Sequence, residues 1–280
     1  MAQTFRMTQD HRDLLDKAGD GHKYTHGHAV VVSGPARQGG AARLAATAAL
    51  RIGAGVVSVI CDEDARAEHA SRLDAVMVKV ASDDHFSQTL RTIAPAAICI
   101  GPNLGTDTQA ADRLWAVLVG NAAICLDADA LTLIGQSPDR LIAAQPRCAV
   151  MTPHAGELRR LIPDVCEQTE DRIAQARAAA ARYGCTVLSK GRPTIVAQSD
   201  GTVQIVVADH YEHAAWLATA GSGDVLAGMI TGLLARGYTA SDAACVAADM
   251  HLRCAQAFGP GLISEDLPRL IPQVLADILG

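Results

Sequence analysis

The segment TAGSGD at 219–224 runs directly into the apolar segment VLAGMITGLLA at 225–235. The apolar segment predicts a buried helix, and Gly221 and Gly223 allow the backbone to turn tightly just before it. Successive N–H groups of such a turn point to one place, and the positive end of the helix dipole lies there too. The pattern therefore predicts an anion site suited to phosphate, with Gly221, Ser222 and Gly223 forming the anion hole.

The carboxylate of Asp224 falls in the first turn of this predicted helix, beside the anion site. A negative charge is unfavourable there if it merely accompanies a bound phosphate. It is suited to taking a proton from a hydroxyl near a phosphoryl group, so we interpret Asp224 as a general base. The alternative is that it only caps the helix. Gly228 and Gly232 follow at four-residue spacing and predict close packing against a neighbouring element.

Short apolar runs recur in the chain before this motif, flanked by Gly, Pro or Asp. They lie at 28–33, 56–60, 96–101, 122–127, 148–152 and 185–190. They are apolar throughout rather than at alternate positions, which is typical of a parallel sheet buried on both faces. Ala-rich stretches with helical periodicity at 41–53 and 106–120, the second capped by Thr106 or Asp107, lie between them. The predicted class is therefore α/β.

The pattern changes after residue 190. Two β-rich runs within 193–208, joined by Ser-Asp-Gly, predict an antiparallel hairpin at the far edge of the sheet. Three helices follow, at about 223–236, 241–258 and 264–279, the second with Thr239 and Asp242 spaced as a capping box and Gly259 as its C-cap. We expect one domain over 22–280, preceded by a polar tail or docked helix at 1–21.

Composition excludes several classes of function. The chain has 280 residues and a net charge of −6, which argues against nucleic-acid binding, and its 49% hydrophobic content argues against disorder. Its eight cysteines are never closer than nine positions and form no zinc motif, so we expect buried, reduced thiols in a cytoplasmic protein. No leader is evident at the N-terminus, and no apolar run approaches the roughly 20 residues that would span a membrane.

Four consecutive predicted strands end in polar or Gly-rich sequence. These ends are GPNLG at 101–105, DADAL at 127–131, TPHAGE at 152–157 and KG at 190–191. Each has a structural explanation by itself, as turn glycines, helix caps or a favourable charge at a helix start. Because ligands of open parallel sheets bind beyond the carboxyl ends of the strands, the four together predict a binding site. No P-loop or GxGxxG fingerprint is present, and 33–42 predicts a flexible, Gly-containing loop.

A glycine turn of the GSGD type that opens a late helix resembles the ribokinase-like superfamily. The fuller set of motifs resembles the ADP-dependent NAD(P)H-hydrate dehydratase domain over about 22–275. That set is His22-Lys23, GAARLAATAALRIGAGVVSV at 40–59, GPNLG, DADAL, TPHAGE, KGRPT at 190–194 and ATAGSGDVLAGMITGLLARG at 218–237. The resemblance implies a three-layer α/β/α sandwich with a mostly parallel sheet, and an enzyme that repairs the S epimer of hydrated NADH or NADPH.

The resemblance also implies roles for individual residues. The hydrate would contact Ala41, Gly105, His154 and Asp224, with Asp127 and Glu157 as supporting carboxylates. The nucleotide, ADP or ATP, would be held by Lys190, Gly191, Arg192, Pro193, Thr194 and Gly223, with Mg²⁺ at the phosphates. The resemblance further implies a homo-oligomer, a tetramer being one possibility, and a functional link to a separate epimerase, with neither nucleic acid nor membrane as partner.

The sequence departs from the family pattern at three places. Glu212-His213-Ala214 stands where an Asn-Pro-Gly-like stretch is expected, Ala220 where a glycine is expected, and Tyr24 where a glycine follows His-Lys. Two other functions remain open: a ribokinase-like kinase for a vitamin-precursor alcohol, and a nucleotide-binding module without catalysis. Because the chain is acidic, we expect it to bind phosphate locally, through backbone N–H groups, Lys190 and a metal, without a basic surface.

Overall fold

The computed structural model describes residues 2–17, 21–144 and 149–280. The strands are β1 Ala2–Thr4, β2 His28–Val32, β3 Val56–Cys61, β4 Met77–Val80, β5 Ala97–Ile100, β6 Ala123–Leu126, β7 Ala149–Met151, β8 Thr186–Ser189, β9 Thr194–Ala197 and β10 Val203–Val206. Short 3₁₀ turns lie at Lys23–His26 and Ala214–Leu217.

The helices alternate with these strands over most of the chain. They are α1 Gln9–Leu15, α2 Gly40–Arg51, α3 Glu63–Ala70, α4 Asp83–Ile93, α5 Thr108–Leu118, α6 Asp129–Gln136, α7 Pro138–Ala144, α8 Ala155–Leu161, α9 Pro163–Gln168, α10 Arg172–Tyr183, α11 Ser222–Ala235, α12 Ala240–Phe258 and α13 Leu267–Leu279. No helix in the described parts of the chain is long and apolar enough to cross a membrane.

The described strands form one sheet in the order β1-β10-β9-β8-β7-β6-β5-β2-β3-β4. Only β9 runs antiparallel to its neighbours, β8 and β10. The six apolar runs and the hairpin predicted from the sequence are confirmed as strands. The sequence analysis did not predict β1, which lies outside the hairpin and pairs in parallel with β10; its residues are exposed, so it has no apolar signal.

Two apolar cores, one on each face of the sheet, confirm the three-layer arrangement. In β2, Ala29 and Val31 face one core and Val30 and Val32 the other, because successive side chains of a strand point to opposite faces. The first core is closed by α2, α11, α12 and α13. The second is closed by α4, α5, α6 and α10. Burial on both faces explains why the strands are apolar at every position.

The position of α11 over the sheet depends on its glycines. A Cβ at Gly228 would lie 2.1 Å from the backbone oxygen of Ala45 in α2, and one at Gly232 would lie 2.6 Å from that of Ala49. The two glycines of α11, four positions apart, therefore face two alanines of α2 that are also four positions apart. This is the close packing against a neighbouring element that the glycine spacing predicts. This close approach lets α11 pack on α2 while also contacting β2, β5 and β6.

The chain reverses its direction of travel across the sheet beside β2. It runs from β2 through β3 to β4, then returns to β5 on the other side of β2 and continues outward. Such a switch point opens a crevice at the carboxyl ends of the two strands. The loops there touch, since a Cβ at Gly34 would lie 1.6 Å from the carbonyl oxygen of Asn103.

Helix caps agree with the sequence in most details. Asp107, rather than Thr106, caps α5 by accepting from the N–H of Ala110, and Gly259 ends α12. Thr239 caps α12, but the predicted box is only half formed. The carboxylate of Asp242 accepts from the hydroxyl of Thr239 at 2.7 Å and lies 3.3 Å from His11 Nε2.

The cysteines behave as predicted where the structure describes them. Seven are free and buried, namely Cys61, Cys99, Cys125, Cys166, Cys185, Cys245 and Cys254. Burial raises the pKa of the Cys185 thiol to about 12, which keeps it protonated and unreactive. Cys148 lies outside the described residues.

Candidate active site

The two glycines of the predicted turn lie in different positions: Gly221 directly precedes α11, whereas Gly223 is within its first turn. Gly221 is the N-cap residue at φ 86°, a left-handed conformation that favours glycine. A Cβ there would lie 2.8 Å from Leu44 Cδ1 and 3.1 Å from the side chain of Ser264. The Ser264 hydroxyl donates to the carbonyl of Ala220 and anchors the turn. No side-chain hydrogen bond caps α11. The N–H of Ser222 donates to the carbonyl of Thr219 at 3.4 Å, so the donors that the turn offers to a ligand are chiefly the N–H groups of Gly221 and Gly223.

A cavity of about 430 Å³ lies against this turn. Five of the six residues expected to hold a nucleotide line it, namely Lys190, Gly191, Arg192, Thr194 and Gly223, and Ser222 lines it as well. Pro193 does not. Much of the remaining wall is apolar, formed by Ala214, Ala215, Leu217, Leu226, Ala248 and Leu252. The cavity thus has an apolar part suited to a base and a polar end at the glycine turn suited to phosphate.

Lys190 links two acidic strand ends. Its Nζ donates to Asp127 Oδ1 at 2.8 Å and lies 3.9 Å from Glu157 Oε2. The hydroxyl of Thr152 donates to the same oxygen of Asp127 at 2.7 Å. Burial alone lowers the pKa of Lys190, but the carboxylates of Asp127 and Glu157 outweigh it and raise that pKa above its ordinary value. The ends of β6, β7 and β8 therefore meet in one charged cluster, as the strand-end rule predicts.

Asp224 faces this cluster from the start of α11. Burial, reinforced by the negative charges of Asp127 and Asp129, raises the pKa of Asp224 to about 6, although Lys190 acts in the opposite direction. A Cβ placed on Gly223 would lie 3.4 Å from Lys190 Nζ and 3.8 Å from Asp127 Oδ2, so the cluster adjoins the helix start. A carboxylate with a pKa close to neutral can accept a proton and release it again.

His154 and Glu157 are joined to each other as well as to the site. His154 is the N-cap of α8, and its Nδ1 accepts from the N–H groups of Gly156 and Glu157 at 3.0 and 3.2 Å. Glu157 accepts in return from the N–H of His154 at 2.8 Å. This capping box leaves His154 Nε2 3.5 Å from Glu157 Oε1 and its side chain 55% exposed. His154 thus reaches Lys190 only through Glu157, and its exposed edge is free for a ligand.

Gly105 lies on the loop after β5, and Ala41 lies at the start of α2, both near the switch point. The N–H of Gly105, at φ 89°, donates to Asp129 Oδ2 at 2.9 Å. Asp129 is the same carboxylate that acts on Asp224. Ala41 is in the first turn of α2, one turn before Leu44, which contacts Gly221. The structure therefore brings Asp127, Lys190 and Asp224 together directly, and places Gly105 and Ala41 beside them.

Three further side chains contribute to the site, although no sequence motif assigned them a role there. Arg172 donates to the carbonyls of Pro193 at 2.9 Å and Lys190 at 3.3 Å, which fixes the loop along the cavity. His251 lines the cavity, its Nε2 lies 3.2 Å from the Ser222 hydroxyl, and burial lowers its pKa to about 4. Asp129 appears in DADAL, but only as a candidate cap. Each acts across a long sequence separation, so local pattern could not identify it.

The three departures from the family pattern fall in different places. Ala214 lines the cavity and Ala220 belongs to the anchored turn, so both adjoin the presumed nucleotide end of the site. Tyr24 lies in the 3₁₀ turn before β2, where the chain packs on the segment leading into β3. It is therefore at the amino ends of the parallel strands, and its side chain is exposed.

Comparison with known proteins gives a consistent family. The family described as NAD(P)H-hydrate dehydratase matches residues 29–272. The ADP-dependent (S)-NAD(P)H-hydrate dehydratase of Neisseria meningitidis is 35% identical over 239 residues, covering 84% of this chain and 78% of that protein. The bifunctional NAD(P)H-hydrate repair enzyme of Mycobacterium tuberculosis is 37% identical over 228 residues, covering 79% of this chain. The matched region is 44% of that relative, so the chain spans about half the length of several curated relatives.

A solved structure matches over nearly the whole chain. The ADP/ATP-dependent NAD(P)H-hydrate dehydratase of Bacillus subtilis, co-crystallized with ATP/Mg²⁺, superposes with a TM-score of 0.81 at 26% identity and covers 97% of both chains. The fold that the resemblance implied is thereby confirmed.

Proposed function

The chain belongs to the NAD(P)H-hydrate dehydratase family, and we propose that it uses ADP to return the S epimer of hydrated NADH or NADPH to the reduced cofactor. One observation carries this proposal. The partly buried carboxylate of Asp224, with its pKa raised to about 6, stands in the first turn of a helix that begins at a glycine turn without a side-chain cap. A base beside a phosphate site is what the activation of a hydroxyl by phosphorylation requires.

The chemistry follows from the poor leaving ability of hydroxide. Asp224 takes the proton of the ring hydroxyl, and the hydroxyl oxygen attacks the terminal phosphoryl group of ADP, which releases AMP. The ring nitrogen then donates electrons into the ring and the C–O bond breaks, so that inorganic phosphate leaves with the bonding pair. Loss of a proton from the neighbouring ring carbon restores the reduced nicotinamide.

The two ligands divide the site between them. The nucleotide would occupy the cavity, held by Gly223 and the segment from Lys190 to Thr194, with its reacting phosphate at the N–H groups of Gly221, Ser222 and Gly223. The hydrate would lie over the carboxyl ends of the strands, against Ala41, Gly105, His154 and Asp224, with Asp127 in support. Glu157 would act indirectly, by holding Lys190 and His154 in place.

A magnesium ion fits this division. In the described residues no three His, Cys, Asp or Glu side chains are grouped so as to hold a metal alone. Mg²⁺ usually keeps several waters and binds one or two carboxylates together with substrate phosphates, so it would arrive with the nucleotide. Asp127, which lies beside the start of α11, would offer it a carboxylate oxygen, and Asp224 would remain the base. When bound, it would neutralise negative charge on the phosphates.

The proposal extends to domain, assembly and place of action. Residues 22–280 would form the catalytic domain, with a homo-oligomer, such as a tetramer, as the working assembly. The relative from Mycobacterium tuberculosis is named as bifunctional, and this chain matches less than half of it. We expect the chain to act on the S epimer in a functional link with a separate epimerase. We expect the reaction to take place in the cytoplasm.

A direct assay tests the proposal. We expect hydrated NADH or NADPH, mixed with the protein, ADP and Mg²⁺, to regain the absorbance of reduced nicotinamide, with AMP and phosphate formed in equal amounts. Parallel reactions with ATP determine which nucleotide is preferred. No recovery with either nucleotide, together with phosphorylation of a vitamin-precursor alcohol, would show a kinase instead. Nucleotide binding without any turnover would show a binding module.

The activity is expected to fall in acid. The proposed base works only as a carboxylate, and the pKa of Asp224 is raised to about 6. We therefore expect kcat/KM for the hydrate to be level above about pH 7 and to fall about tenfold per unit below pH 6. A pH profile measured at saturating ADP checks this. A level profile down to pH 5 would contradict the role of Asp224.

A further inference from the structure

A second polar cavity, of about 420 Å³, lies between the start of α2, the segment after α3 and the start of α13. Its lining includes four arginines, Arg43, Arg51, Arg72 and Arg269, and a single acidic residue, Glu265. We call it the arginine groove. In a chain whose net charge is −6, this concentration of positive charge is a local feature that the overall composition conceals.

The positive charges of the arginine groove are only partly compensated by carboxylates. Among the described residues, Arg51 and Arg72 form no ion pair, and Arg269 Nη1 is 4.0 Å from Asp266. Arg43 Nη1 is buried and has no hydrogen-bond acceptor, although Glu68 Oε1 is 3.6 Å away. The guanidinium groups of Arg51 and Arg72, which lack a carboxylate partner among the described residues, favour an anionic ligand, and their planar N–H groups match phosphate oxygens.

The backbone adds donors at the same place. The N-cap of α2 is Gly39, whose own N–H donates to Glu68, and no side-chain cap binds the N–H groups in the first turn of that helix. Gly40, the first residue of α2, lines the arginine groove. The loop before it is held in shape by Glu68, which accepts from the N–H groups of Arg37 at 2.8 Å and Gly39 at 3.1 Å. The donors are therefore preorganised.

The arginine groove adjoins the proposed active site from the side away from the nucleotide cavity. Leu44 lines the groove and lies within 2.8 Å of a Cβ placed on Gly221. Gly40 in the groove is followed directly by Ala41, a proposed hydrate contact. The groove and the nucleotide cavity share no lining residue. The proposed reaction needs two phosphate-bearing ligands at one time, and the structure offers two separate sites on either side of the glycine turn.

We infer that the arginine groove binds phosphate groups of the adenosine half of the hydrated dinucleotide, while the hydrated ring lies at Asp224. This rests on the proposed function. The phosphate could be the pyrophosphate that NADH and NADPH share, or the 2′-phosphate that only NADPH carries. Both present the same chemistry to Arg51 and Arg72.

The test uses the double variant Arg51→Gln, Arg72→Gln, with Arg66→Gln as the matched control. Arg51 and Arg72 are exposed, so the variant should fold, and Arg66 is an exposed arginine of α3 outside the groove. Loss of charged contacts to phosphate should raise KM for the hydrate about tenfold or more, while kcat and KM for ADP stay unchanged. An increase for both hydrates identifies the pyrophosphate; an increase for the NADPH hydrate alone identifies the 2′-phosphate. Unchanged KM for both hydrates would overturn the inference.

A binding measurement separates this inference from the proposed function. NADH and NADPH carry the same adenosine half as their hydrates, and their fluorescence reports binding without turnover. We expect the affinity of the double variant for NADH, NADPH or both to fall by a factor similar to the change in KM for the hydrates. The Arg66→Gln control should bind both as the unaltered protein does. A protein that repairs neither hydrate would refute the proposed function yet still answer this question. Equal affinities in the variant and the unaltered protein would overturn the inference even if the repair activity is found.

Discussion

Asp224→Asn is expected to lower kcat by roughly 10²–10⁴-fold, the usual contribution of a general base. The substitution keeps the shape of the side chain and its place in α11, but removes the group that takes the hydroxyl proton. The nucleotide cavity is formed by other residues, so ADP affinity should change little. Turnover measured with saturating ADP, together with calorimetric titration of ADP, checks both statements. An unchanged rate would remove Asp224 from the mechanism.

The same variant should be more stable than the unaltered protein, which distinguishes lost catalysis from lost folding. The pKa of Asp224 is raised to about 6 in the folded protein, so folding opposes its ionisation. The free-energy cost of ionising Asp224 in the folded protein is fully present above about pH 6. It disappears at pH values below the ordinary pKa of an aspartate. Removing it should stabilise the protein at pH 7 by on the order of 2–3 kcal/mol and have no effect near pH 3.

Denaturant unfolding at the two pH values measures this difference. Asp74→Asn is the matched control, because Asp74 is an exposed aspartate outside the site, and it should shift stability by no more than about 0.5 kcal/mol. Equal stabilities of Asp224→Asn and the unaltered protein at pH 7 would show that the carboxylate is not strained in the folded state.

The central part of the fold was predictable because its physical demands are local. A strand buried on both faces must be apolar at every position. The segments 28–33 and 96–101 show this pattern in their own sequence, without knowledge of the strands they pair with. A helix that packs closely against another helix backbone needs small residues four positions apart, as at Gly228 and Gly232. In contrast, β1 is three exposed residues held by hydrogen bonds to β10, and nothing in its own sequence indicates that pairing.

The site was predictable in its position but not in its contacts. Strand direction alone predicts that Asp127, Glu157 and Lys190 lie at one edge of the sheet, since each follows a parallel strand. Which carboxylate Lys190 meets depends on side-chain geometry across three strands. The capping role of His154 could have been found from Glu157 three residues later, but histidine is not a usual cap. The arginine groove joins positions 43, 51, 72 and 269, which no local pattern connects.

An acidic composition is compatible with the proposed phosphate binding because the features proposed to bind phosphate are local. On one side of α11, the uncapped glycine turn and Lys190 supply donors; on the other, the start of α2 and the arginine groove do so. Net charge measures the whole surface, whereas hydrogen bonds act within a few ångströms. An acidic surface elsewhere therefore need not prevent binding at these two places.

Lys190→Met is expected to destabilise the protein by about 3–5 kcal/mol, because it leaves the buried carboxylates of Asp127 and Glu157 without their cation. It should also greatly weaken ADP binding, since Lys190 lines the cavity at the glycine turn. Denaturant unfolding and calorimetric titration measure the two effects. Lys79→Met, at an exposed lysine in β4, is the matched control and should alter neither by much.

A double-mutant cycle with Asp127→Asn shows whether the ion pair causes the loss. In the Asp127→Asn background one of the two carboxylates is already neutral, so removing Lys190 should cost clearly less there. Lys190 also lowers the pKa of Asp224. Any residual activity of Lys190→Met should therefore begin to fall at a higher pH than that of the unaltered protein. The contrary result is that Lys190→Met costs the same stability in both backgrounds and leaves the pH at which activity falls in acid unchanged. That result would mean that Lys190 contributes packing rather than the charge on which the proposed site depends.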